Sequence, residues 1–175
     1  MNAIDIRDLT YRYGDHTAVD GLTLEIREGE LFALLGVNGA GKTTAIRMLC
    51  GVLRPCGGDA VMQGHSVARD ADAVRRISNV SPQESAVAPR LSVYENLIFA
   101  AGIYGMDAKT AAERAERMIE AFEMQEVRAK RAGTLSGGWM RRLSIAMALI
   151  TDPQVLFLDE PTLGLDVLAR RELWR

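Results

Sequence analysis

The run Gly36-Val37-Asn38-Gly39-Ala40-Gly41-Lys42-Thr43 constrains this chain more than any other stretch. It satisfies the pattern G-x-x-x-x-G-K-[ST], directly after the apolar residues 31–35 and directly before a helical pattern. That order suits a phosphate cradle. A buried strand is expected at 31–35, delivering a glycine-rich loop whose backbone N–H groups converge on phosphate oxygens. The helix that follows then opens with its positive dipole end toward the same anion. Lys42 is placed to reach the outer phosphates, and the Thr43 hydroxyl to ligate Mg²⁺, which takes oxygen donors. A chain that binds a nucleoside triphosphate, or descends from one that did, is the expectation.

The length of 175 residues suits one domain with a real core. The formal charge of -2, with 21 basic and 23 acidic side chains mixed along the sequence, gives no polyelectrolyte signal, so no nucleic-acid partner is expected. The short basic cluster Arg128-Ala129-Lys130-Arg131 is most simply a solvated helix end. Cys50 and Cys56 make no disulfide framework, and with only His16 and His65 they make no zinc site. A reduced, cytoplasmic setting is expected. The longest apolar-leaning stretch, 97–106, is too short to cross a bilayer, and Asp5 and Arg7 keep the first residues from reading as a signal peptide. Any membrane would be met through a partner.

Residues 3–9 and 22–26 alternate in polarity and predict half-exposed strands, whereas 31–35 and 155–158 are continuous apolar runs, as in parallel strands covered on both faces. Between them helices dominate. Ser92-Val93-Tyr94-Glu95 reads as a capping box. A second helix follows Asp107, with Ala112, Ala115, Met118, Ile119 and Phe122 on one face and a Glu113–Arg117 pair on the other. A third starts after Ser136 and buries Leu143, Ala146, Leu149 and Ile150. The expected fold is α/β: a P-loop core with a mostly parallel sheet, an antiparallel β portion on the N-terminal side, and an inserted helical subdomain. The expected boundaries are 1–83 for the first part of the core, 84–150 for the helical subdomain, and 151–175 for the core continued.

Leu156-Phe157-Leu158-Asp159-Glu160 puts two carboxylates at the end of a buried strand. In P-loop enzymes an acid at such a tip holds Mg²⁺, and Glu160 beside it can orient or deprotonate an attacking water. Leu135-Ser136-Gly137-Gly138 is a second anion-binding design: a natural N-cap, glycines permitting close approach, and a helix behind them.

These motifs together resemble the nucleotide-binding subunit of an ATP-binding-cassette (ABC) transporter, in the family's order and through nearly the whole chain. Tyr13 matches the aromatic residue on which adenine stacks, and Gly36, Asn38, Gly39, Ala40, Gly41, Lys42, Thr43 and Thr44 match the Walker A loop. Gln83 matches the Q-loop glutamine that contacts Mg²⁺ near the membrane-subunit interface. Residues 135–138 match the signature motif, 155–159 match Walker B with Glu160 as the catalytic carboxylate, and 163–166 match the D-loop, which ends in Asp166. Read singly, Tyr13 also fits a surface aromatic before a turn, Gln83 a loop polar group, and Asp166 a helix N-cap.

The resemblance implies ATP and Mg²⁺ as ligands, with Thr43, Gln83 and Asp159 at the metal and Lys42, Gln83 and Glu160 in catalysis. It implies a second nucleotide-binding subunit, in a homo- or heterodimer. Ser136, Gly137 and Gly138 of one subunit would complete the cage around the γ-phosphate held by the other. It also implies a separate membrane permease driven by dimer closure, and a place on the inner face of the cell membrane. Arg141 and Arg142 point to the exporter branch. Two features depart from the pattern. Trp139 stands where the signature motif usually has glutamine, and the chain stops at Arg175, ahead of the strand that carries the family's switch histidine. A fragment is the simplest explanation, and poor hydrolysis and aggregation are expected of the chain alone. Two alternatives stay open: a soluble ABC ATPase without a permease, and a nucleotide-binding module without turnover.

Overall fold

The computed structural model describes residues 2–37, 39–82 and 86–160, and it divides into two compact units, Met1–Ser78 and Asn79–Arg175. The fold class is α/β, as expected. In the first unit, β1 (Asn2–Tyr13) and β2 (His16–Arg27) form an antiparallel hairpin, turned at Gly14, whose φ of +58° a side chain would resist. β3 (Gly57–Met62) pairs antiparallel with the other edge of β1, and the two-residue β4 (His65–Ser66) closes the order β2-β1-β3-β4. Helices α1 (Lys42–Leu49) and α2 (Ala71–Ile77) complete the unit.

The alternation predicted for β1 holds with one adjustment. Ile4, Ile6 and Leu9 are buried, so the inward set skips a residue after Ile6. A bulge at Asp8, whose φ is +51°, absorbs the extra residue and returns Leu9 to the core. Gly58 lies against this bulge, where a Cβ would stand 2.2 Å from the Asp8 carbonyl oxygen. In β2, Leu22, Leu24 and Ile26 are half-buried and the residues between them exposed, as an edge strand with one covered face should be.

Residues 31–35 differ from expectation. They form no strand, and Leu31 and Leu35 are 81% and 89% exposed. An apolar run states what its side chains favour as surroundings; it does not supply the neighbouring backbone that a ladder requires. Both edges of β1 are taken, and no described residue pairs with 31–35.

In the second unit, β5 (Ser78–Ser81) and β6 (Val155–Leu158) form a two-stranded parallel pair. The crossover between them holds α3 (Val93–Ile103), α4 (Ala108–Ala121) and α5 (Gly137–Leu149), with 3₁₀ turns at Gln125–Val127 and Ala132–Thr134. Their shared core includes Leu97, Ala115, Ile119, Met124, Leu143 and Ile150. In α4 the innermost positions are Ala111, Ala115 and Ile119, one residue round from Ala112, which is half-buried. In α5, Ile145 and Ala148 are buried while Leu149 is half-buried. Glu113 and Arg117 form no ion pair; Arg114 instead donates to the Ile150 carbonyl at 3.0 Å.

The cluster at 128–131 follows the 3₁₀ turn Gln125–Val127 and is mostly exposed, as expected of a solvated helix end, but it also does structural work. Its backbone accepts the first N–H groups of α3, Val93 N to Lys130 O at 3.1 Å and Tyr94 N to Arg128 O at 3.1 Å. The Arg128 guanidinium stacks over the Tyr94 ring, 4.1 Å from its centre, and bonds the Glu116 carboxylate. Asn96, wholly buried, receives the Ala88 N–H at 2.8 Å and donates to the carbonyls of Ala88, Leu91 and Ser92, pinning the segment ahead of α3.

Candidate functional site: a phosphate loop, a buried acid and an uncapped helix

In the first unit the loop from Gly36 leads into α1. Gly39 and Gly41 have φ of +85° and +83°, and the Ala40 N–H closes a turn on the Val37 carbonyl at 3.1 Å. Gly41 is the N-cap of α1, and no side chain caps that end. Its need for glycine is double: beyond the left-handed φ, a Cβ there would stand 2.1 Å from the Ala18 carbonyl oxygen of β2. The helix start is therefore seated directly on the sheet. The Lys42 ammonium donates to the carbonyls of Gly36 at 2.7 Å and Val37 at 3.0 Å, so it lies along the loop that precedes it. Thr43 and Thr44, in the first turn, are half-buried. The uncapped N–H groups, the helix dipole and an ammonium at one loop make an anion site. Cys50 ends the same helix, where burial pushes its thiol up to about 12 and leaves it unreactive near neutrality. Tyr13, at the end of β1, is 46% exposed and stands edge-on to Tyr11 with 4.9 Å between ring centres.

In the second unit, Asp159 follows β6 directly and is only 6% exposed. Its N–H donates to the Ser81 carbonyl on β5 at 3.0 Å, which extends the strand pairing to the acid itself. Glu160 is half-buried with φ of +46°, a region that non-glycine residues rarely enter. The predicted acidic strand tip is therefore present, although the four residues of β6 are each half-covered rather than fully buried.

Ser136 occupies the N-cap position of α5, yet its side chain makes no cap hydrogen bond. The contrast with its neighbours is informative. Ser92 and Glu95 form the complete predicted capping box, and the Asp107 carboxylate accepts from Lys109 and Thr110 N–H, both at 3.0 Å. Of these three helix starts, only that of α5 has no side-chain cap. Trp139 is half-buried against the helical core with the Arg142 guanidinium 4.9 Å from its ring centre, so its bulk goes into packing.

Asn38, Gln83 and Asp166 lie outside the described residues. The remaining site residues fall into two groups, each described in its own unit: Tyr13 and the loop through Thr44 in the first, and Ser136, Gly137, Gly138, Asp159 and Glu160 in the second. Thr43 in the first unit and Asp159 in the second each carry a hard oxygen donor of the kind Mg²⁺ takes. One residue carries more than the sequence suggested. Arg141 is 7% exposed and donates to the carbonyls of Pro82 and Asp159. Burial holds its pKa below the usual guanidinium value, with the nearby Asp159 charge opposing that shift. The available signal was weak: Arg141 stands beside a second arginine, Arg142, in a mostly apolar helix, and Ser144 follows one turn on.

The fold and the glycine loop define a P-loop nucleotide-binding protein. Residues 19–163 match the ABC transporter family, and the chain belongs to it. It is 42% identical over 172 residues to the daunorubicin resistance ATP-binding protein DrrA3 of Streptomyces coeruleorubidus, covering 98% of this chain and 54% of that protein. It is 41% identical over 175 residues to the Nod factor export ATP-binding protein I of Cupriavidus metallidurans, covering 99% and 58%. With the probable multidrug ABC transporter ATP-binding protein YbhF of Escherichia coli it shares 37% over 171 residues, 98% of this chain and 30% of that one. The chain thus spans about half, or less, of the length of these relatives. Among solved structures, cbiO1 from Clostridium perfringens, part of the ABC transporter complex cbiONQ, superposes with a TM-score of 0.87 at 28% identity over 98% of this chain and 70% of that one. The fold is also that of an ATP-binding cassette in its ADP conformation, with a TM-score of 0.87 at 22% identity over 99% and 74%.

Proposed function

We propose that the protein carrying this chain is the ATP-binding and ATP-hydrolysing subunit of an ABC transporter, coupling ATP-driven dimer closure to a separate membrane permease. The observation that carries this reading is the loop at 36–44, with its open helix end and the Lys42 ammonium drawn along it. Gly36, Asn38, Gly39, Ala40, Gly41, Lys42, Thr43 and Thr44 wrap the phosphates, and Tyr13 stacks on adenine. Mg²⁺, held by Thr43, Gln83 and Asp159, neutralises the developing phosphate charge. Glu160 orients or deprotonates the attacking water. Ser136, Gly137 and Gly138 serve the nucleotide of a second subunit, and the open N-terminus of α5 supports that role. Asp166 belongs to the same interface.

Export is favoured by relatives named for daunorubicin resistance and Nod factor export. No helix among the described residues is long and apolar enough to cross a membrane. In this reading the work at the membrane falls to the permease, with this subunit on its cytoplasmic side. Exposed Phe99, Ile103 and Tyr104 on and beside α3 offer apolar surface for that contact. The segments 1–83, 84–150 and 151–175 then act as core, helical subdomain and core continued.

A titration of the full chain with a fluorescent ATP analogue tests the cradle. Magnesium-dependent binding is expected, and Lys42→Ala should weaken it about tenfold or more, the worth of a charge-assisted hydrogen bond or two. Binding that ignores Lys42→Ala would remove the basis of the proposal.

A further inference from the structure

Helix α5 is buried on two faces. One meets the helical core through Leu143, Ala146 and Ile150 just beyond its end; the other carries Arg141 and Ser144, one turn apart. Arginine is almost never buried unless its donors are used, and here they are. Nη1 of Arg141 donates to the Pro82 carbonyl at 2.8 Å and Nη2 to the Asp159 carbonyl at 3.3 Å. One turn along, Ser144 Oγ lies 3.0 Å from Ser81 Oγ.

The two carbonyls share a circumstance. The Asp159 N–H bonds across to Ser81, and Pro82 and Glu160, one residue further on each segment, lie beyond the ends of β5 and β6. Beyond those ends, Arg141 donates to one carbonyl on each segment. Its planar fork offers several donors at fixed spacing, which a single ammonium cannot do. The Asp159 carbonyl also belongs to the peptide plane whose N–H is that of Glu160. With Glu160 at φ of +46°, that plane sits in a conformation its surroundings must hold.

We infer that Arg141 is a positioning residue, tying the Pro82 carbonyl and the peptide ahead of Glu160 to the helix whose N-cap position Ser136 occupies. The inference rests on the ATPase reading above and adds to it. The start of α5, the entry to the Q-loop and the catalytic carboxylate are held in one register. A displacement of α5 is then felt at the peptide ahead of Glu160 through the Nη2 hydrogen bond, and at Pro82 through the Nη1 hydrogen bond.

The test compares Arg141→Met, which keeps length and apolar contact but donates nothing, with Arg141→Lys, which keeps one cationic donor head. Steady-state kcat, the KM for ATP, direct ATP affinity and melting temperature are measured on the full-length protein that carries this chain, with its permease. Arg141→Met should lower kcat about tenfold or more, as misplacement of a reacting group does, while ATP affinity stays within about twofold. Arg141→Lys should recover part of that loss at the same affinity. Wild-type kcat in Arg141→Met would overturn the inference. So would a joint loss of kcat, affinity and melting temperature that Arg141→Lys does not relieve. If Arg141→Met does not fold, Arg141→Lys decides alone: reduced kcat at unchanged affinity and melting temperature supports the role, and unchanged kcat refutes it. A wild-type protein without ATP turnover would instead sink the ATPase reading, before any variant is compared.

Discussion

Gly41 carries two demands at once, a left-handed φ and the absence of a Cβ against the Ala18 carbonyl. Gly41→Ala should therefore cost about 2 kcal/mol or more in stability, from backbone strain together with the clash, and should abolish nucleotide binding. Denaturant melts paired with a nucleotide titration check this; normal stability and affinity in the Gly41→Ala variant would show that the seat on β2 yields freely. The glycine was legible in the sequence from the spacing of the loop, but its collision partner was not, because Ala18 becomes a neighbour only once β2 has folded. Arg141 is the converse case. Its charge was visible, yet the carbonyls it serves lie on segments remote in sequence, so no local pattern could assign them.

Among the elements, helix starts were the most legible, because a cap is a local match between a side chain and the N–H groups two and three residues on. Ser92 with Glu95 and Asp107 both behave as their spacing predicts. Strands were less so: 155–158 found a partner in β5, whereas the equally apolar 31–35 has none among the described residues. The caps also set a pH dependence. The Ser92 N–H holds the Glu95 carboxyl below the usual carboxylate range, the Thr110 hydroxyl does the same for Asp107, and the Arg128 guanidinium for Glu116. A depressed folded pKa means the stabilisation is complete above the unfolded value and is lost as pH falls through the folded one. The melting temperature should therefore begin to fall as pH drops below the ordinary Glu and Asp values of 4.5 and 3.8. Glu95→Gln, which keeps a box acceptor without the charge, should give a shallower acid slope; parallel melting curves would assign the slope to other groups.

For the whole molecule, the sequence order of motifs identified the family before any coordinate did, since the ABC transporter match at 19–163 encloses most of the residues that carried the resemblance. What that order could not reveal was how the second unit is braced, by the Asn96 hub under α3 and the Arg141 fork at the strand ends. The Asn96 bonds reach only residues four to eight positions away but depend on how that segment folds back, whereas the Arg141 fork joins segments remote in sequence. The most direct measurement is the rate of phosphate release by the full-length protein that carries this chain, wild type against Glu160→Gln, with ATP affinity followed in parallel. A general base is worth about 10²–10⁴-fold, so Glu160→Gln should bind ATP as tightly as wild type and release phosphate at least about a hundredfold more slowly. Near-normal release from Glu160→Gln would contradict the assignment of the carboxylate and, with it, the chemistry ascribed to this chain.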